Sequence, residues 1–257
     1  RDPIHFINGE AARMTKLCVV GLGYIKLPNA SMFATHGLDV VGVDVNREIV
    51  EILNNGDIHI EEPGLKTVVQ AAIRSGNLHV ACAPEPADAF IIAVPTPIYE
   101  DKTADMRCVI SATESVVPHL AKGNLVILES TSPPRTTMDL VRPILERSGL
   151  KAGEDFLLAY SPERVLPGQI LRELVENDRV IGGINAASAK AGCDLYAHFV
   201  QGEIVLTDTT TAEMVKLMEN TYRDVNIAIA NEFARAGRPV RHQRMGGYQH
   251  CEPPPAR

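Results

Sequence analysis

The chain has 257 residues, 45% of them hydrophobic, no tryptophan and a formal net charge of −7, enough for one well-buried core or one and a half domains. The acidic balance argues against non-specific nucleic-acid binding and against attraction to an anionic membrane, and no run of about 20 apolar residues is available to span one. Cys18, Cys82, Cys108, Cys193 and Cys251 are scattered and form no CxxC pair, so they read as free thiols of a reducing cytoplasm, with neither disulfides nor a metal site expected.

Residues 1–13 resemble neither a signal peptide nor a strand, and Met14 directly precedes the first apolar run. The native start is therefore expected at Met14, with residues 1–13 a non-native or upstream leader. Strands are expected at Leu17–Gly21, Val40–Asp44, Leu78–Ala81, Ala89–Val94, Leu125–Glu129, Phe156–Tyr160, Val180–Gly183 and Ile204–Leu206. Helical i, i+3, i+4 spacing lies between most of them, as in Val109–Leu120 and Thr137–Arg147. This alternation predicts an α/β fold, a doubly wound and mostly parallel sheet over residues 14–208 with helices on both faces. A helix of about 25 residues, Thr210–Ala234, follows. It is too long for a crossover and reads, over 209–234, as a spine towards a second domain that these residues do not supply. Residues 235–257 have no helical or strand period and are dense in Arg, Gly, Pro and His.

CVVGLGYIKLPNA places Gly21 and Gly23 between the first strand and a helix. The first permits a tight turn, and the second lets the backbone approach a pyrophosphate at the helix N-terminus. Asp44 closes the next strand, 21 residues after Gly23. A carboxylate there can accept bonds from the adenosine ribose hydroxyls and would repel a 2′-phosphate, which favours NAD over NADP. The third position of this fingerprint, normally Gly or Ala, is Lys26. It is expected to snorkel outward or to push the helix off the strand and weaken dinucleotide binding; attraction of its charge to phosphate is the alternative.

Further along, FIIAVPTP carries Thr96, LESTSPP carries Thr131, and AYSPERVLPG carries Glu163, Arg164 and Val165, each just past a strand end. That is the carboxyl edge, where open α/β sheets bind ligands. On the long helix Lys216, Asn220 and Arg223 fall at i, i+4 and i+7, on one face. Taken singly, the threonines could be ordinary caps, Glu163 a solvated carboxylate, and Lys216 a surface partner of Glu213 or Asn220.

Together these segments closely resemble the UDP-glucose/GDP-mannose dehydrogenase family over about Met14 to Ala234. YSPERVLPG followed by ENDRVIGG resembles its branch acting on UDP-N-acetylmannosamine. The resemblance implies a Rossmann-type NAD-binding domain, a homodimer, and oxidation of a sugar C6 alcohol to the uronate with two NAD, through a cysteine thioester. It implies that Lys216 and Asn220 assist proton transfer, stabilise the oxyanion and line the substrate site. Glu163 and Thr131 would position or activate water, and Arg164, Val165 and Arg223 would hold the nucleotide sugar. Gly21, Gly23, Tyr24, Ile25, Asp44, Thr96 and Thr131 would contact NAD.

The family's nucleophilic Cys is expected beyond these residues, and YQHCEPPP around Cys251 does not match its Gly-rich setting. No net turnover is therefore expected of this chain. Back-translated one base out of register, the tail admits a string with a forced Trp followed by Glu-Ala-Ile and, further on, His-Pro-Arg. That string resembles the family at this distance, so residues 235–257 are expected to be an out-of-frame tail. The rival reading is a non-catalytic nucleotide-binding or interaction module; a short-chain dehydrogenase lacks its TyrxxxLys pair.

Overall fold

The computed structural model describes residues 14–237. Residues 1–13, expected to be a leader, and residues 238–257, which include Cys251 and most of the expected out-of-frame tail, lie outside them. Eight strands are formed: β1 (Lys16–Val20), β2 (Asp39–Val43), β3 (Leu78–Ala81), β4 (Ala89–Ile92), β5 (Leu125–Leu128), β6 (Leu157–Tyr160), β7 (Arg179–Gly183) and β8 (Ile204–Asp208). They make one sheet in the order β3-β2-β1-β4-β5-β6-β7-β8. The first six run parallel, while β7 pairs antiparallel with β6 and parallel with β8. The expected strands are all present, shifted by a residue or two at their ends. Order reverses between β1 and β4, which opens a crevice at the carboxyl ends of those two strands.

The helices are α1 (Lys26–Thr35), α2 (Arg47–Asn54), α3 (Leu65–Arg74), α4 (Arg107–Val116), α5 (Arg142–Leu145), α6 (Ile170–Glu176), α7 (Ala186–Tyr196) and α8 (Thr209–Gly237). Strand residues alternate between two cores. Leu17, Val19, Ile91 and Ile127 pack on the face with Phe33, Leu65 and Tyr196, and Cys18, Val20, Ile92 and Leu128 pack on the face with Val109, Val116 and Leu145. Burial on both faces explains why the strands read as continuous apolar runs.

Two helices differ from expectation. Val109–Leu120 becomes α4 plus a 3₁₀ turn at Val117–His119 around Pro118. Thr137–Arg147 is wound as a π-helix at Thr137–Val141, then α5, then a 3₁₀ turn at Glu146–Ser148. Pro143 lacks an N–H and its ring crowds the preceding turn, which widens there. Helix α8 continues past Ala234, because Arg235 and Ala236 are good helix formers, to Gly237, the last described residue. The chain divides into a unit of residues 1–217, which holds the sheet, and a unit of residues 218–257. The division falls inside α8.

Candidate nucleotide-binding and catalytic site

Five parallel strand ends supply the expected site residues of the first unit apart from Lys216, which lies on α8. After β1, Gly21 takes φ +100°, and a Cβ there would lie 2.5 Å from the Ala93 carbonyl oxygen. Only glycine fits both conditions. A Cβ on Gly23 would meet nothing within 4 Å, so the space in front of its backbone is open at the N-terminal end of α1, as an approaching pyrophosphate requires. From the end of β2, Asp44 accepts from the Leu22 amide (3.0 Å) and the Asn46 amide (2.9 Å). One bond is used on each carboxylate oxygen, which leaves acceptor capacity for ribose hydroxyls. These residues fit a dinucleotide.

Tyr24 is part-exposed, and Ile25 packs against the core. The Tyr24 hydroxyl donates to Glu62 at 2.9 Å, and Glu62 also accepts from the amides of Gly168 and Ile170, each at 2.9 Å. Burial opposes the Glu62 charge, but these donors outweigh it and hold the carboxyl below its usual range. Glu62 thereby joins the phosphate turn to the loop that carries Glu163, Arg164 and Val165. Thr96 donates through Oγ1 to the Thr131 carbonyl at 2.7 Å, which links the loops after β4 and β5.

Glu163 is not a solvated loop carboxylate. It is buried, with Oε2 3.1 Å from the Arg179 guanidinium and Oε1 accepting from the Arg164 amide at 2.9 Å. Burial works against its charge, but Arg179 first and Lys26 second overcome it and keep the carboxyl below the ordinary glutamate range. Arg164 donates through its guanidinium to the Asp178 carbonyl at 3.0 Å, and Val165 packs on the core. Lys216 Nζ donates to the Glu163 carbonyl at 2.6 Å, so the expected lysine meets the expected loop. Glu213 does not pair with Lys216; it is fully buried and accepts from the Thr137 amide (2.8 Å) and hydroxyl (2.6 Å). Asn220 is half-buried and Arg223 exposed; both belong to the second unit.

Lys26 departs from one of its expectations. It does not snorkel outward: it is 8% exposed, and its Nζ lies 2.6 Å from Glu129 Oε2. Glu129, just past β5, also accepts from Asn29 at 3.0 Å and from the Tyr196 hydroxyl. Arg179 stacks 4.1 Å from the Tyr196 ring centroid. Glu62, Glu129 and Arg179 went unassigned in the sequence. A signal existed for two of them: Glu129 ends an otherwise apolar strand run, and Arg179 opens one.

With this geometry in place, similarity decides the family. Residues 15–200 match the NAD-binding domain of the UDP-glucose/GDP-mannose dehydrogenase family, and residues 210–240 match its central domain. The chain belongs to that family. A UDP-N-acetyl-D-mannosamine dehydrogenase of Methanococcus maripaludis is 54% identical over 224 residues, covering 86% of this chain and 51% of the relative. The solved UDP-N-acetyl-mannosamine dehydrogenase of Staphylococcus aureus is 53% identical with a TM-score of 0.83, covering 88% of this chain and 55% of the other. An NDP-N-acetyl-D-galactosaminuronic acid dehydrogenase of Ralstonia solanacearum is 49% identical over 225 residues, 85% of this chain and 53% of that one. The chain thus spans about half the length of the relatives it matches. Its sheet is an NAD-binding domain of this family.

Proposed function

We propose that this chain carries the NAD-binding half of a UDP-N-acetyl-D-mannosamine 6-dehydrogenase, which takes the C6 alcohol to the uronate. The observation that carries the reading is the contact of Lys216 with the Glu163 loop, at the same sheet edge as the Gly21–Gly23 turn. Bound NAD would accept hydride from the sugar carbon. Gly23 leaves room for its pyrophosphate, and Asp44 accepts from its ribose. Thr96 and Thr131 close the floor between β4 and β5. Lys216 presents an ammonium group for proton transfer and for a developing oxyanion, and Glu163, held ionised, orients water. Arg164 and Val165 are assigned to the nucleotide sugar; Asn220 and Arg223, in the second unit, are assigned to it by the resemblance of their own segment alone. The names of the relatives support an N-acetylated sugar over glucose or mannose.

No described cysteine supplies the thiol for the second oxidation. Cys18 is buried inside β1, with its thiol pushed up to about 11 chiefly by burial. Cys82 follows edge strand β3, five strand spacings or about 24 Å from the end of β6. Cys108 and Cys193 lie on α4 and α7. Cys251 lies outside the described residues, and its sequence setting, YQHCEPPP, does not match the family's Gly-rich segment; we therefore expect the chain to bind NAD without sustained turnover. The test is absorbance at the NADH band with UDP-N-acetylmannosamine and NAD: a flat steady state is expected, and continuous NADH formation overturns it.

A further inference from the structure

Lys26, Glu129, Arg179 and Glu163 form a buried quartet, each less than a tenth exposed. Lys26 opens α1, Glu129 follows β5, Glu163 follows β6, and Arg179 opens β7. Because β7 runs against β6, its first residue reaches the same edge as the ends of the parallel strands. Two cations face two anions, so the quartet is neutral. Arg179 has a choice of partner: its guanidinium is 3.1 Å from Glu163 and 3.6 Å from Glu129. Lys26, at 2.6 Å, already satisfies Glu129.

We propose that Lys26 is a positioning residue: by neutralising Glu129 it leaves Arg179 to Glu163 and so fixes the Glu163 loop. Without Lys26 two carboxylates would compete for one guanidinium in a site shielded from water. An unpaired buried charge is strongly destabilising and is relieved by protonation. Arg179 would turn towards Glu129, and the Glu163 loop, which also receives Lys216, would lose its anchor. The functional consequence rests on the role proposed for Glu163, but the pairing itself does not.

The other titratable groups around the quartet are Tyr196 on α7, which donates to Glu129, Tyr160 at the end of β6, and Lys216 on α8, bonded to the Glu163 carbonyl. Burial raises both tyrosines above their usual range, so neither titrates near neutrality. Asn29 and Ser161, bonded to Glu129 and Arg179, are uncharged.

The experiment compares the full chain with Lys26→Met, Lys26→Arg, Glu129→Gln and Lys26→Met/Glu129→Gln by urea unfolding from pH 5 to pH 8. In Lys26→Met the folded state should take up a proton that the unfolded state does not bind, so its stability should fall as pH rises. Its midpoint deficit against the unchanged chain should grow about twofold or more between pH 5 and pH 8. Adding Glu129→Gln should abolish that growth, and Lys26→Arg should not show it. A deficit that is equal at every pH, or that Glu129→Gln leaves unaltered, would mean that Lys26 only fills space, and it overturns the proposal. Should Lys26→Met not fold, recovery of folding in the double variant supports the pairing, and failure of both overturns it. NAD affinity and turnover do not enter this readout, so the pairing and the proposed reaction can fail separately.

Discussion

The two glycines of the phosphate turn do different work, and substitution separates them. Gly21→Ala places a side chain at φ +100° and 2.5 Å from a carbonyl oxygen. The backbone strain alone costs about 1–3 kcal/mol, so the melting temperature should drop whether or not NAD is present. Gly23→Ala adds a methyl group that touches no protein atom. Its unfolding free energy should change by less than about 0.5 kcal/mol, while NAD affinity falls because the methyl occupies the approach of the pyrophosphate. Calorimetric melting together with NAD titration checks both. If Gly23→Ala bound NAD as well as the unchanged chain, the cofactor would lie elsewhere.

Between elements, carboxylates tie loops whose sequences are far apart. Glu62 receives the Tyr24 hydroxyl and two amides before and at the start of α6. Glu62→Gln should weaken NAD binding and raise amide exchange at residues 163–170, and unaltered exchange there would argue against such a tie. Asp88 receives the amides of Thr15 and Lys16 and the Thr15 hydroxyl, which anchors the start of β1. Burial opposes its charge, but those donors hold its carboxyl below the ordinary aspartate range. Its stabilisation is therefore full above the unfolded-state value and is lost as pH falls through the folded one. Urea midpoints of Asp88→Asn and the unchanged chain should differ at pH 7 and converge in acid. The elements themselves were legible because runs such as LVIL and AFII are buried on both faces and announce parallel strands. The reversed direction of β7 was not, since an apolar run carries no sign of direction. Nor was the inward turn of Lys26 legible: a basic residue at the start of a helix suggests solvent, and its partner Glu129 stands 103 positions away. Arg179 reaches the site only through the reversal of β7.

At the scale of the whole molecule, the described part of the second unit exposes Met218, Tyr222, Val225, Ile227, Ile229 and Phe233. Apolar surface of this kind favours association. Sedimentation should show self-association that rises with concentration, weakened by Ile227→Glu and Phe233→Glu, and a monomer at every concentration would contradict this. Among the described residues no helix is long and apolar enough to cross a membrane. The out-of-frame reading proposed for residues 235–257 is decided by the codons across Ala234 to Arg241, and codons that cannot encode the shifted string dismiss it. The central claim is that the sheet holds NAD at the Gly21–Gly23 turn with Asp44 on the ribose. Isothermal titration of the full chain with NAD and with NADP tests it most directly. The account predicts one saturable NAD site and at least about tenfold weaker NADP binding, a difference of about 1.4 kcal/mol; no saturable NAD binding, or equal affinity for the two, would contradict it.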